Sequence, residues 1–182
     1  MNRNLWIKIR CFLMIDGRKR TKYLIKKKVF KSVGDGFVFF PRKIPQDPQF
    51  ICFHNNVVVA TDVMFVNHDI IHEMLNGKSK SEQYKKYFDC IEVKDNVFIG
   101  ARSMIMPGVI LGPDVVVAAG SVVTKSFSGG VIIGGNPARV IGTMDSLEEK
   151  RRTYSKQKEC EVDKDTEAQI AWERWNEKSN FR

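Results

Sequence analysis

IEVKDNVFIGARSMIMPGVILGPDVVVAAGSVV, residues 91–123, repeats with a period of six. Val93, Ile99, Ile105, Leu111, Val117 and Val123 share one register, all apolar and none aromatic. Two positions before each stand Ile91, Val97, Ser103, Val109, Val115 and Ser121, all small or β-branched. A helix repeats every 3.6 residues and a strand every two, so neither explains the pattern. A short strand followed by a tight corner does. Three such units close one triangular coil of about eighteen residues, and each apolar residue stacks on its copy in the next coil. Gly100, Gly112 and Ala118 directly follow the apolar position. The glycines are expected at corners, where the backbone takes conformations that a β-carbon opposes.

Working upstream, Phe53, Val59 and Phe65 share a register of their own, offset from the later one by a number that is not a multiple of six, with Ile51, Val57 and Val63 two positions earlier. NNVVVATDV from Asn55 and DNVFIGARS from Asp95 are two copies of one unit. The repeat is expected to begin at Val33-Gly34, with Phe39 six residues on. Pro41, Pro45 and Pro48 then interrupt it, and because proline cannot donate to a strand ladder this segment reads as a corner or loop. Residues 68–90 also break the period. They are polar and partly helical in pattern, as expected of a segment ejected from a coil without disturbing the stack. Downstream of Val123, SFSGG reads as a loose corner, VIIGGN as one more rung and Asn136-Pro137 as a turn.

The flanks have another character. Leu5, Ile9, Phe12 and Leu13, with Trp6 beside them, predict a short amphipathic helix ended by Gly17. Arg18–Lys28 predicts a second, very basic helix with Tyr23, Leu24 and Ile25 as its apolar contacts. At the other end, Ala168, Ala171, Trp172 and Trp175 fall on one face of a C-terminal helix, and the two tryptophans are expected to pack on the repeat or on a partner subunit. The expected organisation is a basic helical segment 1–32, a β-helix 33–142 with an excursion 68–90, and a charged helical segment 143–182.

The length of 182 residues suits one domain with appendages. The net charge of +9 is concentrated in residues 1–31, which hold eleven Lys or Arg against Asp16 alone. That basic arm suits an anionic surface such as a membrane leaflet, or is a solvated helix face. No nucleic-acid-binding motif accompanies the charge, so nucleic acid is not an expected partner. Cys11, Cys52, Cys90 and Cys160 are scattered without metal-ligand spacing, which reads as idle thiols in a reducing compartment. No apolar run is long enough to span a bilayer and no secretory signal is evident, so a cytoplasmic location is expected.

NVFIGARSMIMPGVILGPDVVVAAGSVVTK followed by GGNPARVIG resembles the end of a left-handed parallel β-helix acyltransferase of the hexapeptide-repeat family, which includes galactoside, maltose and streptogramin O-acetyltransferases and enzymes of polysaccharide biosynthesis. The resemblance covers roughly residues 34–142. It implies an all-β, left-handed parallel β-helix with helical ends, assembled as a homotrimer whose donor grooves lie between subunits. It implies acetyl-CoA as donor, a sugar hydroxyl as acceptor and no metal. His68, in Phe-Val-Asn-His-Asp where the repeat breaks, matches the family's catalytic histidine and would act as general base, although Asn67 replaces the usual hydroxyl residue. Its second ring nitrogen needs an acceptor, from a backbone carbonyl or from Asp69. Ala101 and Ala119 would line the pantetheine channel, Thr124 and Lys125 would meet the phosphate end, and Pro137 and Arg139 would border the adenine and the 3′-phosphate. The excursion would shape the acceptor pocket, with Glu73 or Asn76 in reach of hydroxyls. Two alternatives stay open: N-acetyl transfer to an amino sugar or antibiotic, and a metal-binding β-helix of carbonic-anhydrase type using His68 and His72.

Overall fold

The computed structural model describes residues 3–156 and 163–179. Two compact units divide the chain, Met1–Asp145 and Ser146–Arg182. In the first, short strands stack in three parallel faces. The first face holds β1 (Ser32–Val33), β3 (Ile51–Phe53), β6 (Ile91–Val93) and β9 (Ile110–Leu111). The second holds β2 (Val38–Phe39), β4 (Val58–Val59), β7 (Val97–Ile99), β10 (Val115–Val117) and β12 (Val131–Gly135), closed by β13 (Ala138–Thr143), which returns antiparallel after a cis Asn136-Pro137 peptide. The third holds only β5 (Met64–Phe65), β8 (Met104–Ile105) and β11 (Val122–Val123).

Within residues 91–123 the period of six predicts the pairing, three units making one coil; across the excursion the partners stand 40 residues apart, and the last pair 16, so there the structure sets the register. Phe53 pairs with Val93 and Val93 with Leu111 on the first face. Val59 pairs with Ile99, Ile99 with Val117 and Val117 with Ile133 on the second. Phe65 pairs with Ile105 and Ile105 with Val123 on the third. These side chains form the buried axis of the stack. Removing each from water contributes about 1.5–3 kcal/mol before entropy is counted. The interior serines fit because their hydroxyls have partners: Ser103 and Ser121 both donate to the Ala118 carbonyl, at 3.0 and 2.6 Å.

The corners differ from expectation in one respect. The left-handed backbone falls three residues after the core position and not one: Gly36, Asn56, Asn96 and Asp114 at the first corner, Asp62, Arg102 and Gly120 at the second, Gly108 at the third. Asn and Asp tolerate this conformation because their short polar side chains bond locally. At the first corner they also bond between coils, Asn56 Nδ2 to Asn96 Oδ1 and Asn96 Nδ2 to Asp114 Oδ1, each at 2.9 Å. Gly100 serves a different need. A β-carbon there would lie 2.5 Å from the Ala119 nitrogen and 2.6 Å from the Val117 oxygen, so glycine permits the close approach of the next coil.

Helix α1 (Arg3–Leu13) and helix α2 (Gly17–Lys26) cover the first coil. Gly17 does not end the first helix; it begins the second. Asp16 is the cap of α2, accepting from Arg18 N at 2.8 Å and Lys19 N at 3.1 Å. A β-carbon on Gly17 would meet the Phe40 ring at 2.4 Å. Leu24 and Phe30 are buried with Phe37, Phe39 and Phe53 beneath α2. The edge of β2 is satisfied by α2: Phe39 N donates to Thr21 Oγ1 at 2.8 Å. Arg20 reaches the carbonyls of Met14 and Phe40.

The charged C-terminal part is two helices, α4 (Met144–Lys156) and α5 (Lys164–Ser179). Trp172 and Trp175, expected to pack on the repeat or on a partner subunit, are 65% and 61% exposed in the chain. Cys160 lies outside the described residues. Among those described, Cys11, Cys52 and Cys90 are free thiols; burial pushes the Cys11 thiol up, opposed by the Arg20 guanidinium.

Candidate active site

His68 stands three residues beyond Phe65, at the corner that follows the third face. There the excursion leaves the stack. Its neck is stitched shut: His68 forms an antiparallel bridge with Phe88, Asp69 N donates to the Tyr87 carbonyl at 3.2 Å, and Asp89 N donates to the Asn67 carbonyl at 2.8 Å. Within it, helix α3 (Ile71–Ser79) starts where Asp69 Oδ1 accepts from Ile71 N at 3.0 Å. Asp69 is therefore engaged in starting a helix. Asn76, expected near acceptor hydroxyls, instead ties the excursion together by bonding the Tyr84 carbonyl and amide at 3.0 and 2.9 Å.

The carboxylate that meets His68 is Asp47. Its Oδ2 lies 2.6 Å from His68 Nδ1, with the two side chains 26% and 13% exposed. The contact is short but off-axis, outside the alignment of a directed hydrogen bond. Apo catalytic contacts often have such loose alignment. Asp47 comes from the proline-interrupted loop of the first coil, which replaces a third-face strand there. Sequence reasoning missed it, since its only local mark is a carboxylate beside Pro48 in a segment without periodicity.

The same loop walls a cleft of about 550 Å³ that opens onto His68, lined by Lys43, Gln46, Asp62, Met64 and Asn67 among others. That size lies within the range of small-molecule sites, roughly 300–1,000 Å³. Asn67 is 3% exposed and its Nδ2 has no hydrogen-bond partner, as is also true of the buried Nδ1 of His72. An unpaired buried donor costs about 1–3 kcal/mol, which a ligand oxygen would relieve.

The remaining predicted residues fall on two edges of the third face and in the β12–β13 hairpin of the second. Thr124 and Lys125 directly follow Val123, on the same edge as His68 and two coils on, about 10 Å along the axis at strand spacing. Both are exposed, and Lys125 Nζ lies 5.5 Å from the Phe127 ring centroid. Ala101 and Ala119 occupy the opposite edge, one coil apart, with Gly120 N donating to the Ala101 carbonyl at 2.8 Å. Pro137 lies in the turn from β12 to β13, and Arg139 follows on β13, exposed, with one guanidinium nitrogen donating to the Ala138 carbonyl at 2.9 Å. The chain thus brings together His68, Asp47 and the cleft. It keeps the two sets of predicted donor residues on separate edges. His54 pairs with Glu92 at 2.9 Å on the first face, away from this corner. Among the described residues, no three His, Cys, Asp or Glu side chains converge.

Comparison with known proteins adds a family to this geometry. The family described as hexapeptide repeat of succinyl-transferase matches residues 91–125. "Putative acetyltransferase YJL218W" of Saccharomyces cerevisiae is 30% identical over 166 residues, covering 78% of this chain and 79% of that protein. "Putative acetyltransferase YvoF" of Bacillus subtilis is 33% identical over 113 residues, covering 62% of this chain and 55% of that protein. The chain thus spans about half the length of this relative. Among solved structures, a maltose O-acetyltransferase from Clostridium difficile is 26% identical, with a TM-score of 0.59 over 76% of this chain and 83% of that one.

Proposed function

The chain belongs to the hexapeptide-repeat acetyltransferases with the left-handed parallel β-helix, and from that premise we propose that it moves an acetyl group from acetyl-CoA to a hydroxyl of a sugar or polysaccharide precursor, with His68 as general base. The observation that carries this reading is the 2.6 Å approach of Asp47 to His68 Nδ1 at the mouth of the cleft. A carboxylate on that side favours the tautomer with the proton on Nδ1 and leaves Nε2 free to accept one. Nε2 takes the acceptor's hydroxyl proton as the oxygen attacks the thioester carbonyl. The tetrahedral intermediate collapses, the carbon–sulfur bond breaks, and the imidazolium returns the proton to the departing thiolate. Asn67 Nδ2, buried and unpaired, is a ready donor to an acceptor oxygen. Lys43, Gln46 and Asp62 suit a polyhydroxylated acceptor, since each can bond a hydroxyl.

The donor would lie along the third face. Ala101 and Ala119 present small side chains and backbone amides to a pantetheine arm, Thr124 and Lys125 meet phosphate, and Pro137 and Arg139 border the nucleotide. Because one chain holds these groups on two edges, a closed groove needs an edge from each of two subunits. Cyclic symmetry then gives a homotrimer with three sites. Acetyl-CoA consumption against sugars, amino sugars, nucleotide sugars and lipid-linked sugars tests the reading. It expects O-acetylation that depends on His68; turnover restricted to amino sugars would shift the reaction to N-transfer.

A further inference from the structure

Helix α1 has two apolar faces, and only one is used. Ile7 and Cys11, one turn apart, are buried at 8% and 0% exposure. Around the helix, Leu5, Trp6, Ile9, Phe12 and Leu13 gather on another arc of roughly 120°, from the 3.6-residue repeat. All five are exposed, from 42% for Ile9 to 70% for Leu13. Lys8 and Arg10 flank this arc on either side. Ile15, in the turn before α2, extends the apolar surface at 83% exposure. Five large side chains on one arc of one helix are not the scattered apolar residues that any surface carries.

The surroundings of this arc are strongly cationic. Apart from Arg20, every lysine and arginine from Lys8 to Lys31 is exposed, and Asp16 is the one acid among residues 1–31. Beside the arc lies a cleft of about 390 Å³ with Ile9, Phe12, Leu13 and Ile44 as its walls and Lys8, Arg42 and Lys43 at its rim. An apolar floor under a cationic rim matches the boundary between acyl chains and acidic headgroups. Among the described residues no helix is long and apolar enough to cross a membrane, so such contact would be interfacial.

We infer that α1 seats its Leu5–Ile9–Phe12–Leu13 arc in the surface of an anionic phospholipid bilayer, with the lysines of α2 reading the headgroup charge. The arc supplies burial among the upper acyl chains, and each basic side chain near the surface adds an attraction that salt screens. Lys43 and Ile44 border both the α1 cleft and the His68 cleft, so the docked protein presents its acceptor cleft on the membrane side.

The test is flotation of the full chain with vesicles of phosphatidylcholine, with and without 30 mol% phosphatidylserine, at low and high salt. Binding is expected to the anionic vesicles only, to weaken at 0.5 M salt, and to fall at least tenfold in Phe12→Ala/Leu13→Ala. Both side chains are exposed, and a melting curve matching the parent's would show that the fold is intact. A second variant, Lys26→Gln/Lys27→Gln/Lys28→Gln, should lower anionic binding while leaving the apolar arc in place. Absence of binding to anionic vesicles overturns the inference, as does binding indifferent to Phe12→Ala/Leu13→Ala. So does a loss of self-association in that variant without vesicle binding by the parent, which would show that the arc is covered by a second copy. None of these outcomes depends on the acetyl-transfer reaction.

Discussion

The coils from Ile91 to Ile133 and those from Val33 to His68 form one stack but fill it differently. The later coils are aliphatic along the axis, with Val93, Ile99, Ile105, Leu111, Val117, Val123 and Ile133 all fully buried. The earlier coils widen the axis with Phe39, Phe53 and Phe65 and pack Phe30 and Phe37 against them, ring centroids of neighbours lying 4.7–6.1 Å apart. The later coils keep a strand on every face as far as β11, after which the first face holds only a single bridge, Leu111 to Phe127. The earlier ones give up a third-face strand to the loop holding Asp47 and eject the segment after His68. Regular stacking leaves a smooth prism with nowhere to enclose a substrate. A cleft arises where the repeat is broken.

This contrast predicts where substitutions act. His68→Ala should lower turnover by about 10²–10⁴-fold, the usual reach of a general base, with acetyl-CoA binding retained by calorimetry. Persistent turnover would remove the broken corner from the chemistry. In the regular half, Ile99→Ala should cost about 2–5 kcal/mol of stability in urea titration, because the neighbouring coils cannot collapse into the void. Met64→Ala, exposed on the third face, should change stability by no more than about 0.5 kcal/mol. Equal effects would mean that the axis is not the load it appears from burial. Asp47→Asn should lower kcat about tenfold, ~1.4 kcal/mol of transition-state stabilisation, and leave the donor KM nearly unchanged. A positioning role would also displace the acidic limb of the pH–rate profile, which a merely structural role would not.

The smallest effect concerns the covering helices. Backbone amides of Lys19 and Arg18 bond the Asp16 carboxylate and hold its pKa below its ordinary value near 3.8. A group with a depressed folded pKa stabilises above its unfolded value and loses that contribution as pH falls through the folded one. Asp16→Ala should therefore melt slightly lower than the parent at neutral pH, with the difference narrowing below pH 3.8.

Much of this was legible in advance because a six-residue period is a local property. The strand starts, the core column, the interruption by three prolines and the exit at His68 could all be read from residue spacing. The misreadings share a cause. Gly17 reads as a stop because glycine often ends helices, whereas its missing β-carbon admits the Phe40 ring, a neighbour supplied by another part of the chain. Gly100 reads as a corner residue, whereas it admits the next coil. The apolar spacing of α1 announced an amphipathic helix without saying that Ile7 and Cys11 would be the buried pair and Leu5, Phe12 and Leu13 the exposed arc.

The sequence by itself determined the register within each uninterrupted block of coils, since stacking copies of one residue needs only that the spacing recur; tertiary structure set the register across the excursion. Tertiary structure alone decided that Asp47 faces His68, since the two meet only after a full turn of the coil has closed on itself. It also decided which side of α1 is left uncovered. Periodicity records which residues face inward along one element; it carries no record of which distant group arrives opposite them.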